Sequence, residues 1–165
     1  MTHLEFVQGE ATKNMDFHMQ NMDNLQTEGN TTATFLSVAV SASFSAAVSI
    51  FAAGNHMKLA LALSFLCVYL AIVGAYLVFA CLRARYVQPP TNEPKNLKLQ
   101  DGFTSEQIQQ FELENLQGRI DSNRIRNDKA AWHLNCVRLL IFASPAFFSA
   151  VLAFIALAAM LAHIC

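Results

Sequence analysis

The chain has 165 residues, of which 54% are hydrophobic and 14% charged, with a formal net charge of −1. A soluble domain carries about 25% charged residues, and here the apolar residues are gathered into blocks, which separates a membrane protein from a greasy soluble one. The near-neutral balance supplies no basic field to hold nucleic acid, and the four cysteines, none close to another, form no CxxC or Cys/His metal pattern.

Residues 1–30 form a polar, acidic tail carrying Glu5, Glu10, Asp16, Asp23 and Glu28 against a single Lys13. This charge is the reverse of a secretory signal, so none is expected. Met15, Met19 and Met22 recur at helical spacing. Two states stay open for the tail: a short amphipathic helix lying on a membrane or a partner, and disorder.

The first predicted span covers about Ala33 to Ala53, contains no charge, and is long enough to cross a hydrocarbon core of about 30 Å. Gly54-Asn55-His56 marks a tight turn. The second span runs from about Leu59 to Leu82, closed by Arg83 and Arg85, with Tyr86 as an interfacial anchor. Residues 33–82 thus read as a transmembrane hairpin. Cys67 and Cys81 read as small apolar fillers in a reducing compartment.

Ser37, Ser41, Ser45 and Ser49 recur every fourth residue in span one. Each step is about 400° around a helix, so the four form one slowly drifting polar stripe. Such a stripe either lets helices pack closely or lines a weakly polar pore when several copies ring their first spans. Span two has a small-residue seam of its own in Ala60, Ser64, Cys67, Ala71 and Gly74, expected to pack on span one.

Pro89-Pro90 and Pro94 make residues 83–103 a stiff, non-helical connector. A new helix then begins with a full set of start signals. Thr104 is the N-cap, Gln107 completes a capping box, and Phe103 with Ile108 forms a hydrophobic staple. Glu106 complements the positive end of the helix dipole. A cytoplasmic stretch over 104–131 is expected to continue without interruption into the third span within 132–165, with Pro145 as an internal kink. The fold class is therefore an all-α integral membrane protein: a transmembrane helical hairpin plus a long juxtamembrane helix continuing into a third transmembrane helix.

Leu113, Leu116, Ile120, Asn123, Asn127, Ala130 and Leu134 alternate in steps of three and four, the spacing of a coiled-coil seam. Asn123 and Asn127 would be its polar, register-setting positions. This face is expected to join copies of the chain or receive a cytoplasmic protein partner; a solvated helix lying along its own connector is the alternative. Arg119, Arg124, Arg126 and Lys129 alternate with acidic residues, so they read as a charge-laced helix in preference to a phosphate or headgroup site. Arg138, near the inner interface, either snorkels to lipid headgroups or pairs with a neighbouring subunit.

Nine Lys and Arg residues fall within 83–138, against Lys58 alone in the turn between spans one and two. The positive-inside rule puts that segment and the N-terminus in the cytoplasm and Cys165 outside. No HExxH, GxSxG or phosphate loop is present, and the spans contain no Asp, Glu or Lys for a proton relay. The expectation is a protein with no catalytic residues, no metal and no cofactor.

Two stretches, Pro89-Pro90-Thr91-Asn92-Glu93-Pro94-Lys95-Asn96-Leu97 and residues 115–129, NLQGRIDSNRIRNDK, accompany the hairpin-plus-third-span layout. In these the chain resembles small multi-span bacterial membrane proteins of anti-phage defence operons, which include membrane effectors of cyclic-nucleotide and retron systems. The resemblance implies an oligomeric inner-membrane effector, a pore former or membrane disrupter released by a sensor partner. It implies no particular site residues. A non-conducting membrane anchor that recruits a cytoplasmic partner fits the same residues, and a phage holin is a third reading.

Overall fold

The computed structural model describes residues 3–54, 56–83, 87–91 and 102–162. Among these residues the secondary structure is entirely helical: α1 (His3–Ala52), α2 (Met57–Leu77) and α3 (Ser105–Ala162), with α2 widening at its end into a π-helical turn over Val78–Leu82. Three helices are each long and apolar enough to cross a membrane.

The acidic tail and the first span form a single helix. No proline interrupts α1, and its hydroxyl side chains do not compete for the backbone. Thr12, Thr31, Thr32 and Thr34 each donate to the carbonyl four residues back, at 2.8–3.0 Å, which satisfies the hydroxyl inside the helix. Chain reversal after α1 uses two left-handed residues, Gly54 at φ 70° and His56 at φ 56°.

The start of α3 is closed as its sequence predicts. The Thr104 amide donates to Gln107 Oε1 at 2.9 Å, and the Gln107 amide donates to Thr104 Oγ1 at 3.3 Å. These reciprocal bonds satisfy donors that the first helical turn leaves without partners. Phe103 meets Phe111 edge to face, with ring centroids 5.8 Å apart, so the aromatic contact reaches three residues beyond the expected Ile108. The helix passes through Pro145 unbroken to Ala162.

The chain divides into two compact units. The polar unit takes the first half of α1, to Gln26, together with residues 84–131. The apolar unit takes residues 27–83 and 132–165. Most of the connector, at 84–86 and 92–101, lies outside the described residues, as do Asn55 and the C-terminal residues 163–165. The expectations for Arg85, Tyr86, Lys95, Lys98 and Cys165 therefore fall outside the structure.

In the polar unit, the two helical segments run parallel. Met15 is fully buried against Leu116 and Ile120, with Ala11 packed beside them, and His18 lies further along, opposite Asn127. In the apolar unit, α2 runs antiparallel to both neighbours. Its Cys67 reaches the Val40 carbonyl of α1, its Tyr76 meets His133 of α3, and its Tyr69 meets Leu140 of α3. The core of this unit is narrow: Leu36 and Ala47 of α1, Ala60, Ala62, Leu70, Val73 and Leu77 of α2, and Leu134 and Val137 of α3. Of the small-residue seam expected on α2, Ala60 is buried and Cys67 and Gly74 are half-buried, while Ser64 and Ala71 stay exposed.

Candidate functional site

A helix face is assigned by what it touches. Ser37, Ser41, Ser45 and Ser49 are all exposed. The buried residues of the same stretch, Leu36 and Ala47, lie on another face of α1, about 80° to 180° from the individual serines at about 100° per residue. The serines therefore do not pack the apolar unit together. Among the described residues nothing buries them.

The exposed stripe is longer than its four serines. Thr27, Asn30 and Thr34 continue it toward the N-terminus in steps of three and four, and all three are exposed. Ser37 Oγ donates to the Ala33 carbonyl and Ser41 Oγ to the Ser37 carbonyl, each at 2.9 Å. Thr34 Oγ1 does the same toward Asn30 at 3.0 Å. The result is a polar ladder over 27–49 with no charge beyond Glu28 beside its start. Sequence reasoning stopped at Ser37 because a strict four-residue repeat ends there; a search for alternating three and four steps reaches Thr27.

The seam on α3 is buried where its spacing placed it. Leu116, Ile120, Asn123 and Asn127 are all buried and Leu113 and Ala130 half-buried. The face expected to meet another copy or a partner is covered by the chain's own N-terminal segment. Asn123 donates from Nδ2 to the Gln88 carbonyl at 3.3 Å and accepts at Oδ1 from the Gln88 amide at 3.4 Å. The same Nδ2 lies 3.5 Å from Met15 Sδ. One side-chain amide thus holds the connector on α3 in the manner of a backbone bridge. Asn127 donates to the His18 carbonyl of α1 at 2.8 Å and accepts from Arg126 at 3.4 Å. Both asparagines are 2% exposed, and the satisfaction of their polar atoms is what permits that burial.

The charged residues singled out from sequence have different surroundings. Arg119 is covered, its side chain 12% exposed, pairing with Glu112 at 3.4 Å and donating from Nε to the Asn115 carbonyl. Arg124 is exposed beside Asp121, at 3.6 Å. Of the two, Arg124 is the one a partner can reach. Arg138 pairs with Glu28 of α1 at 2.6 Å, with both side chains about half exposed.

Two contacts in the apolar unit escaped sequence reasoning. Tyr69 donates its hydroxyl to the Leu140 carbonyl at 2.8 Å and stacks on Phe147 at 4.4 Å between ring centroids. Pro145 lies between these two contacts. It removes the amide that would bond the Ile141 carbonyl, one residue beyond the Leu140 carbonyl that Tyr69 bonds. Tyr76 Oη lies 2.7 Å from His133 Nδ1, and Trp132 packs edge-on against the same imidazole. Tyr69→Phe should destabilise the micelle-solubilised protein by about 0.6–1.7 kcal/mol, the range for single polar contacts between membrane helices. Thermal unfolding followed by circular dichroism measures this, and an unchanged midpoint would remove the Leu140 bond from the account.

Among the described residues no three His, Cys, Asp or Glu side chains come together as a metal site would require. No protein-family model, curated protein or solved structure matches the chain.

Proposed function

We propose that this protein is an oligomeric inner-membrane protein that permeabilises or depolarises the membrane as an anti-phage defence effector. The observation that carries the reading is the outward placement of the α1 polar ladder. A face directed at acyl chains alone is served best by Leu, Ile and Phe. Small hydroxyl residues let helix backbones approach and offer weakly polar groups to water, so the first spans of several copies gather around an axis with the ladder toward it. The basic segment and the N-terminus lie in the cytoplasm and the C-terminus outside, following the distribution of Lys and Arg. The α3 seam is covered by the chain's own α1, so coupling to a cytoplasmic partner runs through exposed charge on α3, Arg124 before Arg119.

A specific observation favours a second reading, the non-conducting anchor. Ser37 and Ser41 bond their own helix, and a hydroxyl satisfied in that way tolerates lipid.

The deciding experiment compares membrane potential and dye uptake in cells expressing the full chain or its Ser37/Ser41/Ser45/Ser49→Ala variant. Alanine stays small, forms helix at least as well as serine, and removes the hydroxyls. Depolarisation by the parent that is lost in the variant is the expected result. Depolarisation of equal size in both would remove the ladder from the conducting path, and intact membranes in both would favour the anchor.

A further inference from the structure

We infer that the half of the apolar unit beside the α1–α2 turn binds one anionic phospholipid, with an acyl chain in each of two adjoining clefts and the phosphate at Lys58. The inference rests on the reading that the apolar helices cross a bilayer.

The first cleft, of about 430 Å³, lies between α1 and α2 and is walled by Phe44 and Phe51 over a floor of Ala47 and Ala60. Those two alanines are nearly fully buried, whereas the phenylalanines are 60% and 64% exposed. Small side chains under large flanking rings make an apolar groove. The second cleft, of about 630 Å³, lies between α2 and α3, with Phe65, Phe147, Ala150 and Phe154 among its walls. Leu61 and Ile155 line both clefts and form the ridge between them. Two chains joined at one glycerol straddle such a ridge.

The length suits one leaflet. The second cleft follows α3 from Phe147 to Ala158, which at 1.5 Å per residue is about 16 Å, near half of the ~30 Å hydrocarbon thickness. Both clefts lie toward the turn, where a headgroup would be.

Charge selects the headgroup. Lys58 lines the mouth of the first cleft and is exposed. The only acidic residue in the sequence of the apolar unit is Glu28, which is held by Arg138. Among the described residues of its unit Lys58 therefore meets no side-chain carboxylate. A lysine at a membrane surface attracts anionic lipid with about 1 kcal/mol, and acyl chains withdrawn into apolar clefts add to retention with each methylene buried.

The test is lipid retention by the full-length protein, extracted from membranes into mixed micelles holding equal phosphatidylglycerol and phosphatidylethanolamine, washed in detergent and weighed by native mass spectrometry. The expected result is one phospholipid per chain, enriched in phosphatidylglycerol. Lys58→Gln, at an exposed position, should keep the fold and lower the preference for phosphatidylglycerol about fivefold, the ratio that 1 kcal/mol represents. Ala150→Trp should fill the second cleft and abolish retention while the helical circular dichroism stays unchanged. Wild-type protein that sheds all lipid, or the same lipid count and selectivity in all three proteins, would overturn the site, leaving only the annular lipid of any membrane protein. A lipid-free dimer would assign the clefts to a second copy instead. Recovery of the chain in the soluble fraction before detergent is added would overturn the membrane reading itself, and is distinguishable from all of these.

Discussion

Asn123→Ala should destabilise the polar unit by about 2–3 kcal/mol, the cost of unsatisfied buried polar groups together with a small cavity. The side chain bonds both the amide and the carbonyl of Gln88 and touches Met15 in a buried site. Alanine removes both hydrogen bonds at once and leaves the Gln88 backbone, itself half-buried, to find water or stay unpaired. It also opens space between Met15 and Ile120, the two fully buried side chains of this unit's core. Denaturant titration of the micelle-solubilised protein reads the loss. Ser122→Ala, one residue away and exposed, is the control and should change stability by no more than about 0.5 kcal/mol. If the two variants unfold together, Asn123 is a tolerated polar residue and not a structural tie. The position also tests the account of the connector: with Asn123 gone, the segment around Gln88 should be cut by protease faster than in the parent.

A graded series at Gly29 should separate close approach from helix propensity in the apolar unit. Gly29 is buried within α1, and a Cβ there would stand 2.7 Å from Leu82 Cδ2 and 3.6 Å from its Cγ. Gly29→Ala gains about 1 kcal/mol of helix propensity and displaces only the end of a flexible side chain, so it should be near neutral. Gly29→Leu places three more carbons into the same contact and should cost about 1–3 kcal/mol by overpacking. The neighbouring ion pair of Glu28 and Arg138 gives this region a second readout, because spreading of α1 from the end of α2 lengthens that pair as well. Thermal midpoints that rise steadily from Gly through Ala to Leu would show that α1 and Leu82 do not press together at this point.

What was legible in the sequence is local. The helix start at Thr104 was readable because a capping box is made by residues three apart. The turn after α1 was readable from Gly54 and His56, and three apolar helices followed from composition and length alone. The buried face of α3 was readable as well: Leu116, Ile120, Asn123 and Asn127 follow the period of a helix and are buried together. Periodicity says which face is covered; it does not say by what.

The identity of the cover was decided by tertiary structure. The segment that fills the α3 seam offers Ala11, Met15 and His18, a small residue, a flexible one and a polar one. Of this set only Met15 stood out in the sequence, through its helical spacing with Met19 and Met22, and that spacing does not name a partner more than a hundred residues away in the chain. The Glu28–Arg138 pair and the Tyr69 bond to Leu140 have the same character, since a charge or a hydroxyl carries no periodic mark of its partner. The serine stripe shows the division most clearly. Its four-residue repeat is a property of the sequence, because the α-helix converts spacing into a face. That this face points outward depends on which side of α1 the α2 helix occupies, which is marked by Ala47 beside Ala60 and by the Cys67 contact to Val40, and by no feature of the serines themselves.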